Sequence, residues 1–294
     1  MATTTTTRPA RTRLARRPRR SPARLGWQLG RYAVLLAFLL VFLLPFVWIW
    51  SSALKSNAEI NADPFGLPSS LRWHNVVEAW TTGRFGSYVG NSLLYCAFVV
   101  PGVTVLSCLA GYALGMLRLP GERVIFTAFL LGIMIPFQSI MIPQYYLVRD
   151  LDLLGTYWGV IVPSIALGLA FGIFVMRAFF RGLPPEIADA ARIDGASEWR
   201  VFHLIMLPLA RPGLTTLVVF QFMTTWNMLL IPLLYGQDEN LRPISTGIMF
   251  FIGEYSVDRS LIAAGVSLST VPIIVVYLLF QRHFVRGISA GALR

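Results

Sequence analysis

Lysine is almost missing from this chain: of its 25 basic side chains only Lys55, in SSALKS, is not an arginine. A G-x-x-x-x-G-K-[ST] phosphate loop is therefore impossible, and the chain does not bind ATP by that device. Histidine is scarce as well, with His74, His203 and His283 in separate segments. H-E-x-x-H and C-x-x-C are both absent, so neither a metal site nor a catalytic residue is expected. The two cysteines, Cys96 and Cys108, share one apolar run. On a helix they would lie about 18 Å apart, too far to pair, and they read as small buried hydrophobes.

Charge is the largest deficit. Only 13% of the residues are charged and 55% are hydrophobic, which leaves too little polar surface for a soluble domain of 294 residues. The net charge of +11 does not point to nucleic acid. The arginines gather in the N-terminal RPARTRLARRPRRSPAR and between apolar runs, an arrangement that orients a chain in a bilayer.

Between the charges lie six long windows without any: 32–54, 85–117, 124–148, 153–176, 212–237 and 260–281. Each exceeds the roughly 20 residues that cross a hydrocarbon core, and a charge at its centre would cost at least about 2.5 kcal/mol. The expected fold is all-α, with six transmembrane helices at about 32–54, 88–117, 124–148, 157–180, 212–235 and 261–281. A basic tail over 1–31, expected to be disordered, would precede this 32–284 domain, and a tail over 285–294 would follow it. The run from Tyr32 to Leu54 is too long for a secretory h-region and continues without a cleavage site, so it reads as a retained first helix. With the N-terminus inside, the inner segments hold 19 of the 25 basic residues and 5 of the 14 acidic ones, which predicts cytoplasmic N- and C-termini.

Prolines recur within the windows, at Pro45, Pro101, Pro136, Pro143, Pro163, Pro232 and Pro272. Kinks near Pro136 and Pro143 would either shape a pathway or be packing irregularities. The only polar groups deep in the windows are neutral, notably Asn91, Gln138, Gln144, Gln221 and Asn227. A proton-coupled carrier would place ionisable groups there. The energy source is thus expected outside the bundle, and the passenger to be uncharged. Gln138, Gln221, Trp226 and Asn227 are the candidate solute-path residues, with helix packing the alternative for Asn227. Trp73, His74 and Trp80, in the first outer segment, would form either a protein contact or an interfacial aromatic belt.

One inner segment, 182–211, differs from the rest: GLPPEIADAARIDGASEWRVFHLIMLPLAR. Pro184-Pro185 open a helix, Glu186 and Asp189 suit its first turn, and Gly195 can end it in the left-handed region. Ser197 is placed to cap a second helix running toward Pro208. The alanines Ala188, Ala190 and Ala191 allow close approach, so the first helix would either dock into a partner's cleft or lie on the membrane surface.

This stretch resembles the EAA loop of binding-protein-dependent ABC importer permeases. The triplet reads Asp189-Ala190-Ala191, the second element Asp194-Gly195-Ala196, and the last Ile205-Met206-Leu207-Pro208. AGYALGMLRLPG, TYWGVIVPS, Trp226-Asn227 and the ending RGISAGALR make the chain most similar to the MalG-like carbohydrate permeases, with aspartate at position 189 where those usually have glutamate. The resemblance implies a type I importer permease of the bacterial inner membrane. Its partners would be a second homologous permease, two ATP-binding cassette ATPase subunits and an extracellular sugar-binding protein, with the lipid bilayer around it. It further implies coupling through Glu186, Asp189, Ala190, Ala191, Asp194, Gly195 and Ala196. ATP and Mg would sit on the ATPase subunits, with no cofactor on this chain. The same architecture importing glycerol phosphate or a polyamine is the alternative within transport. A membrane scaffold for an ATPase is the alternative outside it.

Overall fold

The computed structural model describes residues 22–82, 84–247, 249 and 258–291, with side chains described from Trp27 to Leu279 within those stretches. Among the described residues every regular element is helical. The chain divides into two compact units, Met1–Trp48 and Ile49–Arg294. The described part of the first is the bulk of helix α1 (Pro22–Ala53), apolar on every face from Tyr32 onward. That is the character of a helix surrounded by lipid. The tail expected over 1–31 is corrected here, because the helix already begins at Pro22 and carries Arg24 and Arg31 in its first turns. A charge-free window marks where side chains tolerate lipid. Arginine, leucine and glutamine are good helix formers and extend the helix beyond it. Residues 1–21 lie outside the described part.

In the second unit, α2 (Asn57–Ala62) and α3 (His74–Thr81) precede the long α4 (Phe85–Met116). Ser56 and Glu59 form a capping box on α2. The lone lysine is buried beside it, with Lys55 Nζ donating to the Asp63 carbonyl at 3.1 Å. Then follow α5 (Glu122–Met134), α6 (Phe137–Asp150), α7 (Tyr157–Arg181) and α8 (Pro185–Ile193). Three consecutive segments come next: α9 (Glu198–Arg200), a π-helical stretch Val201–Met206, and α10 (Leu207–Leu209). The chain ends through α11 (Arg211–Trp226), α12 (Leu230–Tyr235), a 3-10 turn Glu239–Leu241, α13 (Ile244–Gly247) and α14 (Arg259–Gly291).

Helix α4 packs along α7, and α11 lies against α4, α7 and α14. Small residues set the α4–α7 distance. A Cβ added at Gly111 would fall 2.7 Å from Met176 Cβ and 2.9 Å from the Arg177 nitrogen. In a bilayer, where helices gain nothing by leaving lipid-like surroundings, such close backbone approach supplies the packing energy. One buried cluster runs from Tyr95, Val103 and Tyr112 of α4 through Met176 and Phe180 of α7 to Ala188 and Ala191 of α8. A second joins Phe85, Tyr88 and Cys96 to Trp226, Leu261 and Ala264.

The windows do not all become unbroken helices. The helices of α1, α4, α7 and α14 are each long and apolar enough to span a membrane. The window 124–148 is instead two helices of 13 and 14 residues, α5 and α6, bent by 102°. The break falls at Ile135-Pro136, where Pro136 lacks an N–H and forces the residue before it out of the helical region; Ile135 has ψ 114°. Pro143 stays inside α6. The fifth window is also broken. Helix α11 has 16 residues, meets the preceding helix Glu198–Leu209 at 77°, and is separated by 227–229 from α12. At the C-terminus, α14 runs without interruption into the expected tail as far as Gly291. Residues 292–294 lie outside the described part.

Candidate functional site

Helix α8 begins at Pro184-Pro185, with Glu186 in its first turn. Its end is a Schellman motif. Gly195, at φ +79°, donates its N–H to the Arg192 carbonyl at 3.0 Å, and Ala196 donates to the Ala191 carbonyl at 3.0 Å. Two faces result. Ala188 and Ala191 turn inward, at 0% and 9% exposure, onto the cluster containing Tyr112, Phe180 and Phe202. Glu186, Asp189, Ala190, Asp194 and Gly195 are exposed, and Ala196 is half-buried. Part of the alanine content is thus spent on seating the helix against its own chain. Ser197 does open the next helix, but no backbone N–H is capped by its side chain.

The residue that organises this loop was not among the sequence candidates. Arg192 grips Glu198 with two hydrogen bonds, Nε to Oε2 at 3.0 Å and Nη2 to Oε1 at 2.9 Å, and reaches Asp189 at 2.7 Å. The Tyr112 hydroxyl, on α4, donates to the same Glu198 carboxylate. Arg192 holds the Glu198 carboxyl below its ordinary value, against the opposing effect of partial burial. The i,i+3 pair of Asp189 and Arg192 was legible from spacing alone. Tyr112 carries no local signal, because it lies 86 residues from Glu198. On the same side of the molecule, Glu122 receives Arg181 at 2.6 Å and Arg177 at 3.7 Å.

The four solute-path candidates do not come together. Trp226 is 1% exposed, stacks on Phe222 and donates Nε1–H to the Ser269 carbonyl at 3.2 Å, a packing role between α11 and α14. Asn227 ends α11 and bonds the Met223 carbonyl at 2.8 Å. Gln138 is exposed in the first turn of α6. Gln221 lines a cavity, of about 210 Å³, between α7 and α11. Asn91 is a clasp: it donates to the Asn240 and Arg242 carbonyls at 2.6 and 3.0 Å and accepts from the Tyr157 hydroxyl at 2.9 Å. Gln144 accepts from the Tyr235 hydroxyl at 2.8 Å. Trp73 and Trp80 are both exposed. Among the described residues, no group of three His, Cys, Asp or Glu side chains is placed to hold a metal.

Apolar helices of spanning length, two broken helices and a polar two-faced loop define an all-α, multi-pass membrane protein of permease type. Residues 104–290 match the profile of the binding-protein-dependent transport system inner membrane component family, and the chain belongs to that family. It is 32% identical to the diacetylchitobiose uptake system permease protein NgcG of Streptomyces coelicolor, over 90% of this chain and 88% of that one. It is 33% identical to the trehalose transport system permease protein SugB of Mycobacterium tuberculosis, over 84% and 91%. In fold it superposes on a chain from the crystal structure of a bacterial ABC transporter that imports the acidic polysaccharide alginate. The TM-score is 0.79 at 23% identity, covering 91% of this chain and 100% of the other.

Proposed function

We propose that this permease moves a neutral sugar or short oligosaccharide inward, and that the loop 182–211 couples it to separate ATPase subunits. The saccharide is delivered by an extracellular binding protein. A second permease completes the pathway, and ATP and Mg are held by the ATPases. The observation that carries the coupling role is the two-faced geometry of α8. Its alanines are anchored to the chain's own core, while Glu186, Asp189, Ala190, Asp194 and Gly195 are left facing outward. A helix held on one side and free on the other can carry a partner's rigid-body movement into the bundle. The carbohydrate reading is supported by the uncharged cavity lining and by the sugars in the names of the two relatives. Its test is uptake in proteoliposomes holding the permease pair, the ATPases and the binding protein. Diacetylchitobiose, trehalose or maltose should be imported with ATP hydrolysis. Import of sn-glycerol 3-phosphate or a polyamine in their place would overturn the carbohydrate reading.

A further inference from the structure

The cavity between α7 and α11 has a chemistry of its own. Gln221, Thr224 and Thr225 recur at helical spacing on one face of α11, opposite Ser164 and Phe171 of α7. Phe171 and Phe220 form one wall, with ring centroids 4.1 Å apart, and Phe220 is 43% exposed. Two of the hydroxyl protons are already used. Ser164 Oγ donates to the Val160 carbonyl at 2.7 Å, and Thr224 Oγ1 to the Gln221 carbonyl at 3.0 Å. Gln221 Nε2 donates to Thr225 Oγ1 at 3.2 Å, while its Oε1 accepts from no described residue. What remains is a neutral mixture beside an aromatic wall: acceptor lone pairs on Gln221 and the hydroxyls, plus the second Gln221 Nε2 hydrogen and the Thr225 hydroxyl proton, with no charged group in the lining.

That combination selects its ligand. Phosphate and carboxylate would find no arginine, lysine or histidine to replace their hydration. An ammonium would find no carboxylate to replace its hydration. A ligand with hydroxyl donors around an apolar carbon ring satisfies both halves of the site. The volume of about 210 Å³ falls below the roughly 300 Å³ at which pockets for drug-sized ligands begin, which suits one ring and not a chain of them. We propose that this cavity is a subsite for one neutral sugar ring on this chain, with Phe171 and Phe220 covering the ring and Gln221 and Thr224 accepting its hydroxyls. The proposal rests on the saccharide reading above and adds the place where the sugar is held.

The test uses the full importer in proteoliposomes and whichever of diacetylchitobiose, trehalose or maltose the wild type imports fastest. In a Thr224→Cys importer, that saccharide should slow alkylation by N-ethylmaleimide during turnover by about fivefold, since a seated ligand covers most of such a pocket. sn-Glycerol 3-phosphate should leave the rate unchanged. Gln221→Leu should lower saccharide uptake about tenfold, the equivalent of one hydrogen bond at ~1.4 kcal/mol. If Gln221→Leu fails to assemble, the Thr224→Cys measurement decides alone, because Thr224 is exposed. Wild-type import together with an alkylation rate that ignores the saccharide overturns the subsite and leaves the proposed function standing. Import of none of the three sugars by the wild type overturns the function, and the subsite with it.

Discussion

At the scale of single residues, Gly195 gives the sharpest expectation. Its φ is +79° and an added Cβ would meet nothing within 4 Å, so the penalty of a side chain there is purely conformational, about 1–2 kcal/mol. Gly195→Val should therefore cut sugar-stimulated ATP hydrolysis and uptake, while Gly195→Asn, whose side chain tolerates the left-handed region, should keep most of both. Equal losses in the two variants would mean that the exposed surface and not the turn is what matters. Asp189 needs a different argument from the one its sequence position suggests. It is already paired with Arg192 within its own helix and is 64% exposed, so Asp189→Asn should alter the loop's stability by less than about 1 kcal/mol. Glu198→Gln and Tyr112→Phe act on the bond between loop and bundle. Each should speed hydrogen exchange of the α8 amides about tenfold, the effect of ~1.4 kcal/mol in local opening. Unchanged exchange would show that the buried alanines alone seat the helix. The glycine was legible in the sequence because a good helix former ends there. The Arg192–Glu198–Tyr112 contact was not, because its members come from three helices and Tyr112 lies 86 residues from Glu198.

At the scale of elements, the contact between α4 and α7 is the one that a single substitution can test. Gly111→Val would push a branched side chain into Met176 and into the backbone at Arg177, where the atoms belong to a helix and cannot swing aside. Overpacking of this kind typically costs about 1–3 kcal/mol. The variant should insert in the membrane yet lose its folded form in detergent at a lower temperature than wild type, as followed by size-exclusion after heating. Wild-type thermal behaviour would show that the two helices can separate without loss. The same scale shows what charge spacing reveals and what it hides. Each long helix has at least one end within a few residues of an end of its charge-free window, since the cost of a charge in lipid leaves a record there. The windows did not report continuity: nothing in the absence of charge distinguishes one helix from two joined at Pro136, or reveals that α11 stops at Trp226. Nor do they mark where a helix ends in water, so Pro22–Arg31 and the stretch as far as Gly291 read as tails and are helical.

For the molecule as a whole, the arginines predict an orientation, and the structure supplies good places to test it. The segment 182–211 and the 118–123 connection hold five arginines between them, and in the fold they adjoin. Arg177 and Arg181 at the end of α7 meet Glu122 at the start of α5. The opposite ends of the long helices carry Lys55, Arg84 and Arg242 with their acidic or carbonyl partners. With a negative surface potential on the cytoplasmic leaflet, the expectation to be tested is that the first group lies inside. Ser197 and Ser70 lie in the two opposite groups and both are exposed. The native Cys96 and Cys108 are 6% and 4% exposed, and thus give little background to thiol reagents. In intact cells a membrane-impermeant maleimide should label Ser70→Cys and spare Ser197→Cys, and permeabilised cells should label both. The reverse pattern would invert the bundle. It would also put the exposed face of α8 beyond the reach of any cytoplasmic ATPase, and the coupling role proposed for 182–211 would fall with it.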